Sequence, residues 1–304
     1  VNRRVVLNDQ DKVSRIEILD RVRKTETVLR KEDDRWFLEV PVRYPADEAV
    51  VEGVEIAARM ASRQPRLRAE KDWDEYGLAR ADLEVRIDVP KRKAETLFIG
   101  AQAPLGNAVF ARWDFERGYL LLQAEMMHVF GQSVYSLREK RVFRTPPEEV
   151  RTVYIEMGPR SYQWKKHDGR WFWMEPIAKF GREMPPQSMN RVLTALRNLY
   201  AKKFLDGDTR SGSELGFFII HDRIKITPEF GSPEVLHFGN EVPMENAYYG
   251  FRENESTVFL IDRGKVIALI DLLKRIEKTD GEERSGETAV ASPRTSLTDA
   301  PLTS

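Results

Sequence analysis

Apolar and polar residues alternate with a period of two along much of the chain. The clearest stretch is residues 83–89, where every second residue is Leu, Val or Ile and the residues between them are charged. Such alternation is typical of a strand that buries one face. Shorter apolar stretches at 13–18, 27–31 and 36–40 are separated by charged turns, and together they predict a three-stranded meander.

A different period marks the helices. Between Asp47 and Ala61 the apolar residues recur at steps of three and four, which predicts a helix with one buried face, and Asp47 suits its N-terminus. A short helix is expected at residues 128–137. The same spacing predicts two further helices, one carrying Met189, Leu193, Leu196, Leu199 and Tyr200 and the other carrying Val266, Ile270, Leu273 and Ile276.

The second half of the chain repeats the first. Arg35-Trp36-Phe37 with Pro41 returns as Arg170-Trp171-Phe172 with Pro176, at a spacing of 171 − 36 = 135 residues. After a four-residue insertion near 181–184 the spacing becomes 139. The pairs that fall at the longer spacing are Gly77 with Gly216, Gly100 with Gly239, Pro104 with Pro243, and Asn107 with Asn246. Glycine, proline and asparagine fix turns and close backbone contacts, so the repeat predicts an architecture and identifies no reaction.

These patterns predict an α+β fold, built as a tandem duplication of a mostly antiparallel sheet with one main packing helix per unit. The boundaries that they indicate are a leader at 1–12, a first unit at 13–144, a proline-containing linker at 145–149 and a second unit at 150–277. Residues 278–304 are rich in Ser, Thr, Glu, Gly and Pro, and we expect a disordered tail there.

Charge and composition limit the function. Lys plus Arg and Asp plus Glu both number 49, so no bulk charge attracts the chain to nucleic acid or to an anionic membrane. Cysteine is absent, which excludes disulfides and thiolate chemistry and leaves both the cytoplasm and exported compartments open. No run of about 18 apolar residues occurs. Because the chain starts at Val1, a signal or anchor is expected to have been removed.

Patterns of catalysis and metal binding are sparse. No two histidines have metal-ligand spacing, and neither a phosphate-binding loop nor a Gly-x-Ser-x-Gly turn occurs. His221 and Asp222, on a predicted strand, form a weak candidate surface site, because Asp222 stands where the first repeat has Leu83. A strand-end carboxylate that reaches solvent is the favoured interpretation. No catalytic, cofactor-binding or metal-ligating residue is therefore assigned, and no cofactor is expected.

Two other clusters have structural interpretations. The aromatic residues Trp164, Trp171, Phe172 and Trp173 suit a stacking platform for sugars or bases. Trp171 and Trp173 share one face of a strand, however, so core packing is favoured. The basic run at 63–71 is interrupted by Glu70, and we interpret it as a solvated link.

Several short motifs follow one another along the first repeat. They are Asp11-Lys12-Val13-Ser14-Arg15-Ile16-Glu17-Ile18, Leu29-Arg30-Lys31, Asp34-Arg35-Trp36-Phe37, Tyr44-Pro45-Ala46-Asp47 before a helix, Tyr76-Gly77-Leu78, and Leu97-Phe98-Ile99-Gly100. With both repeats included, this series resembles domain-of-unknown-function family 4340 (DUF4340) over residues 11–277. The resemblance implies a bacterial protein that lies outside the cytoplasmic membrane on an N-terminal anchor and accompanies gliding-motility-type ABC transporter components. It implies no catalytic residues.

We therefore expect a non-enzymatic, envelope-facing binding or scaffolding module that assembles with membrane proteins, such as those of an ABC-type transport complex. The expected location is periplasmic or membrane-associated, although the anchor of the family is not among these residues. Nucleic acid is not an expected partner. Two alternatives are a hydrolase that acts on a cell-envelope polymer through His221 and Asp222, and a purely structural subunit of a larger assembly.

Overall fold

The computed structural model describes residues 7–104, 106–217 and 222–287. The chain divides into two compact units, of which unit 1 ends at Lys140 and unit 2 begins at Arg141. Each unit consists of an antiparallel sheet with helices, which makes the protein an α+β fold. The two sheets have the same strand order, and the predicted duplication is thereby confirmed.

The described residues of unit 1 form a sheet of nine strands in the order β4-β3-β2-β1-β6-β7-β8-β9-β5. The strands are β1 Arg15–Asp20, β2 Thr25–Glu32, β3 Arg35–Val40, β4 Tyr44–Pro45, β5 Leu67–Arg68, β6 Leu83–Asp88, β7 Glu95–Gln102, β8 Ala108–Trp113 and β9 Gly118–Gln123. Strands β1 to β3 are the meander that the alternation predicts. Strand β5 lies in the basic run predicted to be a solvated link; there the Arg66 Nε donates to Glu116 Oε1 at 2.7 Å, partly buried.

The helices of unit 1 are α1 Glu48–Arg63, α2 Glu125–Phe130 and α3 Val134–Leu137. Asp47 caps α1, because its carboxylate accepts the Val50 N–H at 3.4 Å. The single short helix predicted at 128–137 is wrong. The chain ends α2 at Gly131 and begins α3 after Ser133, whose hydroxyl accepts the Ser136 N–H at 3.1 Å.

Unit 2 repeats this sheet in the order β13-β12-β11-β10-β15-β16-β17-β18-β14. Its strands are β10 Val150–Met157, β11 Arg160–His167, β12 Arg170–Glu175, β13 Glu183–Met184, β14 Ala201–Phe204, β15 Arg223–Pro228, β16 Glu234–Val242, β17 Ala247–Arg252 and β18 Val258–Asp262. Irregularities in the pairing recur as well. The β7–β8 register shifts between Ile99 and Gln102, and the β16–β17 register shifts between Phe238 and Glu241. The second shift lies 139 residues after the first, the spacing of the repeat.

The helices of unit 2 are α4 Pro186–Arg197 and α5 Arg263–Glu287. The buried residues of α1 recur at a spacing of 138 in α4 and just beyond it. Val51, Val54 and Ala58 match Met189, Val192 and Leu196 on the helix, and Ala61 matches Leu199 after its end. Tyr200, predicted on this helix, lies beyond its end and is 36% exposed. Helix α5 continues ten residues into the segment predicted to be a disordered tail; residues 288–304 lie outside the described part.

Each unit has its own core. Leu7, in the predicted leader, is buried, and its N–H donates to Ser62 Oγ at 3.0 Å, so the end of the leader packs on α1. Val142 and Phe143, which the sequence boundary placed in the first unit, belong to the core of unit 2. In the predicted linker, residues 147–149 form a short 3-10 turn that leads into β10.

Candidate functional site

The repeated tryptophans are core residues. Trp36 and Trp171 are buried, and Trp164 and Trp173 are fully buried with ring centroids 4.9 Å apart. Phe172, on the opposite face of β12, is half-buried. The core interpretation of this aromatic cluster is therefore confirmed. The prolines that follow the repeated stretch, Pro41 and Pro176, both have cis peptide bonds.

The repeated glycines hold a turn against a strand. A Cβ at Gly100 would lie 2.5 Å from the carbonyl oxygen of Gly77, whose φ of +67° favours glycine. The adjacent Ala101 N–H donates to the Tyr76 carbonyl at 3.0 Å. In unit 2, Gly216 and Gly239 take these positions, and the Asn240 N–H donates to the Leu215 carbonyl at 2.8 Å.

The repeated proline–asparagine turns differ in detail. In unit 2, Pro243 begins a 3-10 turn and Asn246 ends it in the left-handed conformation, with φ of +47°. In unit 1, Pro104 precedes a residue outside the described part, and the Asn107 amide donates to Glu125 Oε1 at 2.5 Å. All twelve residues that the repeat singled out thus lie in cores or turns.

Asp222 also has a structural contact. Its Oδ1 accepts the Gly158 N–H at 2.6 Å, so the carboxylate caps the turn between β10 and β11. The favoured interpretation from sequence was a strand-end carboxylate that reaches solvent, and the side chain is indeed partly exposed. His221 lies outside the described residues, and the structure does not bring a second titratable group to Asp222 among the residues that it describes.

Unit 2 presents a surface at the turn after β12, in the segment that contains the insertion. We call residues 177–180 the insertion turn. Ile177 is 84% exposed and Phe180 is 59% exposed, whereas Lys179 between them is buried. The Lys179 Nζ donates to the Glu277 carbonyl at 2.5 Å and lies 4.8 Å from the Trp173 ring centroid. The lysine therefore fixes the turn while two apolar side chains point into solvent.

A second surface lies between α4 and α5. This α4–α5 cleft is lined by residues from Asn190 to Asn198 on α4 and from Lys265 to Arg275 on α5, and it has a volume of about 660 Å³. Leu272, Ala195 and Ala268 form its accessible apolar floor, since Leu269 in the same lining is only 1% exposed. The Lys265 Nζ lies 4.8 Å from the Tyr200 ring, just beyond α4. The start of α5 therefore lies beside the end of α4, which places Arg275 at the same end as Arg191.

The cleft is basic in a chain of balanced charge. Its lining carries Arg191, Lys265 and Arg275 and, among the described residues, no carboxylate. Residues 186–197 and 263–278 together contain seven cationic residues and two acidic residues, Asp271 and Glu277, for a net charge of 7 − 2 = +5. The sequence predicted both helices, but the concentration of charge follows from their packing side by side.

Unit 1 has a different helix layer. Because α2 ends at Gly131 after six residues, it forms no long wall beside α1. By the burial register, the positions of Asn190, Arg191 and Thr194 are taken in α1 by Glu52, Gly53 and Ile56. A hollow of about 410 Å³ in unit 1 is lined in part by Arg23, which already donates to Asp20 at 3.0 Å and to the Gly131 carbonyl at 2.7 Å.

A smaller hollow of about 190 Å³ in unit 2 is lined in part by Arg210 and Phe251. The Arg210 guanidinium lowers the pKa of Asp208 to about 2 by hydrogen bonding, and it also donates to the Tyr249 hydroxyl at 2.8 Å. His237 stacks on Phe251 with ring centroids 4.8 Å apart, and burial lowers the pKa of this imidazole. The arginine is thus engaged in ion pairing and the histidine in packing.

The described residues offer neither a membrane-crossing helix nor a cluster of metal-ligating side chains. No helix there has the length and apolarity that a membrane crossing requires. No group of three or more His, Cys, Asp or Glu side chains in that part of the chain is arranged to hold a metal ion.

Comparison with known proteins gives one match. The family described as "Domain of unknown function (DUF4340)" matches residues 36–218, which is 183 of the 304 residues. No curated protein and no solved structure matches the chain. Since the family match covers more than half of the sequence and extends across both units, the protein belongs to the DUF4340 family.

Proposed function

We propose that the protein is a non-enzymatic binding or scaffolding module that faces the cell envelope and assembles with membrane proteins, in particular those of an ABC-type transport complex. The insertion turn carries this proposal. Exposed apolar side chains on a fixed support are typical of the anchors that fill pockets on a protein partner. Because Lys179 already holds the turn, little ordering entropy is lost when a partner covers Ile177 and Phe180.

The contrast with unit 1 supports this assignment. The corresponding connection between β3 and β4 is residues 41–43, and it presents Pro41, Val42 and Arg43. None of these three is among the exposed large hydrophobic residues. The apolar anchor is therefore a property of one copy, as expected for a binding surface and not for a requirement of the fold.

Affinity purification from native membranes tests the proposal. We expect the wild-type protein to retain membrane proteins after mild detergent extraction, and the double variant Ile177→Ser, Phe180→Ser to lose them while its thermal unfolding stays unchanged. Phe230→Ser is the matched control, since Phe230 is 83% exposed on the β15–β16 turn of the same unit. A wild-type protein that purifies alone, or a double variant that keeps its partners, would refute the proposal.

A further inference from the structure

Helix α1 of unit 1 presents an exposed ridge with one acidic end. Glu48 and Glu52 are exposed in its first turns, and Ile56 and Met60 follow on the same face at steps of four residues. Ile56 is 50% exposed and Met60 is 47% exposed, so the ridge presents two large apolar side chains to solvent one helical turn apart. From Glu48 to Met60 the ridge is about 18 Å long at 1.5 Å per residue.

The α4–α5 cleft has the complementary properties. It is concave where the ridge is convex, and its floor at Leu272, Ala195 and Ala268 is apolar. Arg191 and Arg275 both line the cleft, and their charge is opposite to that of the exposed Glu52 of the ridge. The α4 wall from Asn190 to Asn198 is about 12 Å long, which accommodates most of the ridge. Ridge-into-groove packing of this kind is the ordinary way in which helices associate.

We propose that the α4–α5 cleft of one molecule takes the α1 ridge of a second copy of the same chain. Ile56 and Met60 cover the apolar floor, and Glu52 pairs with Arg191 and Arg275. The contact joins two different surfaces, so it is head-to-tail, and it continues into short open chains or closes into a ring. Because the ridge is narrow, the interface is at the small end of the range for specific contacts, and we expect association in the micromolar range or weaker.

Sedimentation velocity of the full chain tests this proposal. We expect the mean mass to rise with concentration between about 5 and about 500 µM, and the association to weaken as salt screens the ion pairs. Arg191→Glu and Glu52→Arg, each alone, should weaken association by at least about fivefold, because each replaces an attraction by a repulsion. An equimolar mixture of the two variants should associate more strongly than either variant alone, because a contact between the two different variants pairs opposite charges again.

Arg197→Glu is the control variant, since Arg197 is exposed on α4 but does not line the cleft. It should associate as the wild type does. A wild-type protein that stays monomeric throughout, charge reversals without effect, or a mixture that does not recover would each overturn the proposal. The proposed assembly with membrane proteins is tested separately at Ile177 and Phe180. A monomer that still retains membrane proteins therefore overturns the proposed self-association alone.

Discussion

Among single residues, Asp222 shows how two copies of a turn use different caps. In unit 1 the turn after β1 is capped from within, because Asp20 Oδ1 accepts the Arg23 N–H at 2.8 Å. In unit 2 the cap comes from the neighbouring strand, through the contact of Asp222 with Gly158. The carboxylate that stood out in the sequence therefore has a structural task that explains its presence.

This contact predicts that two substitutions of Asp222 differ in their effect on stability. Asp222→Leu, which restores the residue type of the first repeat, should lower the free energy of unfolding by about 1 kcal/mol, because the Gly158 N–H loses its acceptor. Asp222→Asn should leave it nearly unchanged, since an amide oxygen still accepts. Denaturant titration measures both values. Equal stability of all three proteins would contradict the capping role.

His237 predicts a pH dependence. Burial lowers its pKa below the ordinary value of 6.5, so the unfolded chain binds this proton more readily than the folded one. The free energy of unfolding should therefore fall as the pH decreases from above 6.5 through the lowered pKa, and the contribution should be constant at higher pH.

The suitable variant for this test is His237→Phe, because Phe98 occupies the corresponding position of unit 1 at a spacing of 139. Subtracting the unfolding free energies of variant and wild type at each pH isolates the histidine. The difference should change in the acidic window in favour of the variant. A flat difference would show that the imidazole titrates alike in both states.

At the scale of elements, helix α5 has two apolar surfaces with different tasks. Leu269 and Leu273 are each 1% exposed and pack in the core of unit 2, whereas Leu272 is half-buried at the cleft. The sequence pattern identified the core stripe, because burial requires apolar residues at helical spacing. It gave no sign of the cleft, which depends on the side-by-side packing of two distant helices.

The two surfaces predict unequal costs of truncation. Leu273→Ala should lower the free energy of unfolding of unit 2 by about 2–5 kcal/mol, because it leaves a cavity in the core. Leu272→Ala should cost less than about 1 kcal/mol, since this side chain faces solvent in part. Thermal and chemical unfolding of the two variants checks the order. The reverse order would place the wrong face of α5 against the sheet.

The long strands and long helices were predicted, whereas the short edge strands were not. The alternation at β1, β3 and β6 is regular because each of these strands buries one face only. The edge strand β5 lacks this signal, since a two-residue pairing has no period to detect. The length of α5 was missed because residues 278–287 lack large apolar side chains, and composition there resembles that of a disordered segment.

For the whole molecule, the boundary between the units is set by packing. The Arg144 N–H donates to Glu234 Oε2 at 2.9 Å, and the Arg144 side chain donates to Glu255 Oε1 at 3.0 Å, both within unit 2. Arg252 completes this ion-pair group by donating to the same two glutamates. The sequence pattern placed the boundary at the prolines of residues 145–149, because prolines interrupt helices and strands. The pattern does not show which core the preceding residues Val142 and Phe143 enter.

Two pairs of fragments test this boundary. Fragment 141–304 should fold and be more stable than fragment 150–304 by about 4 kcal/mol or more, because the shorter one lacks the buried Val142 and Phe143. Fragments 1–140 and 1–144 should unfold at the same denaturant concentration. If the longer first fragment were the more stable one, residues 141–144 would belong to unit 1.

The edges of the two sheets have a consequence for aggregation. One edge of each sheet is a two-residue strand, β4 or β13, and the other is β5 or β14, of two and four residues. A fibril grows when unpaired backbone groups along a long edge template the strand of another molecule, and such short edges offer few of these groups. Short edge strands of this kind are one way in which strand-rich proteins limit cross-β polymerisation.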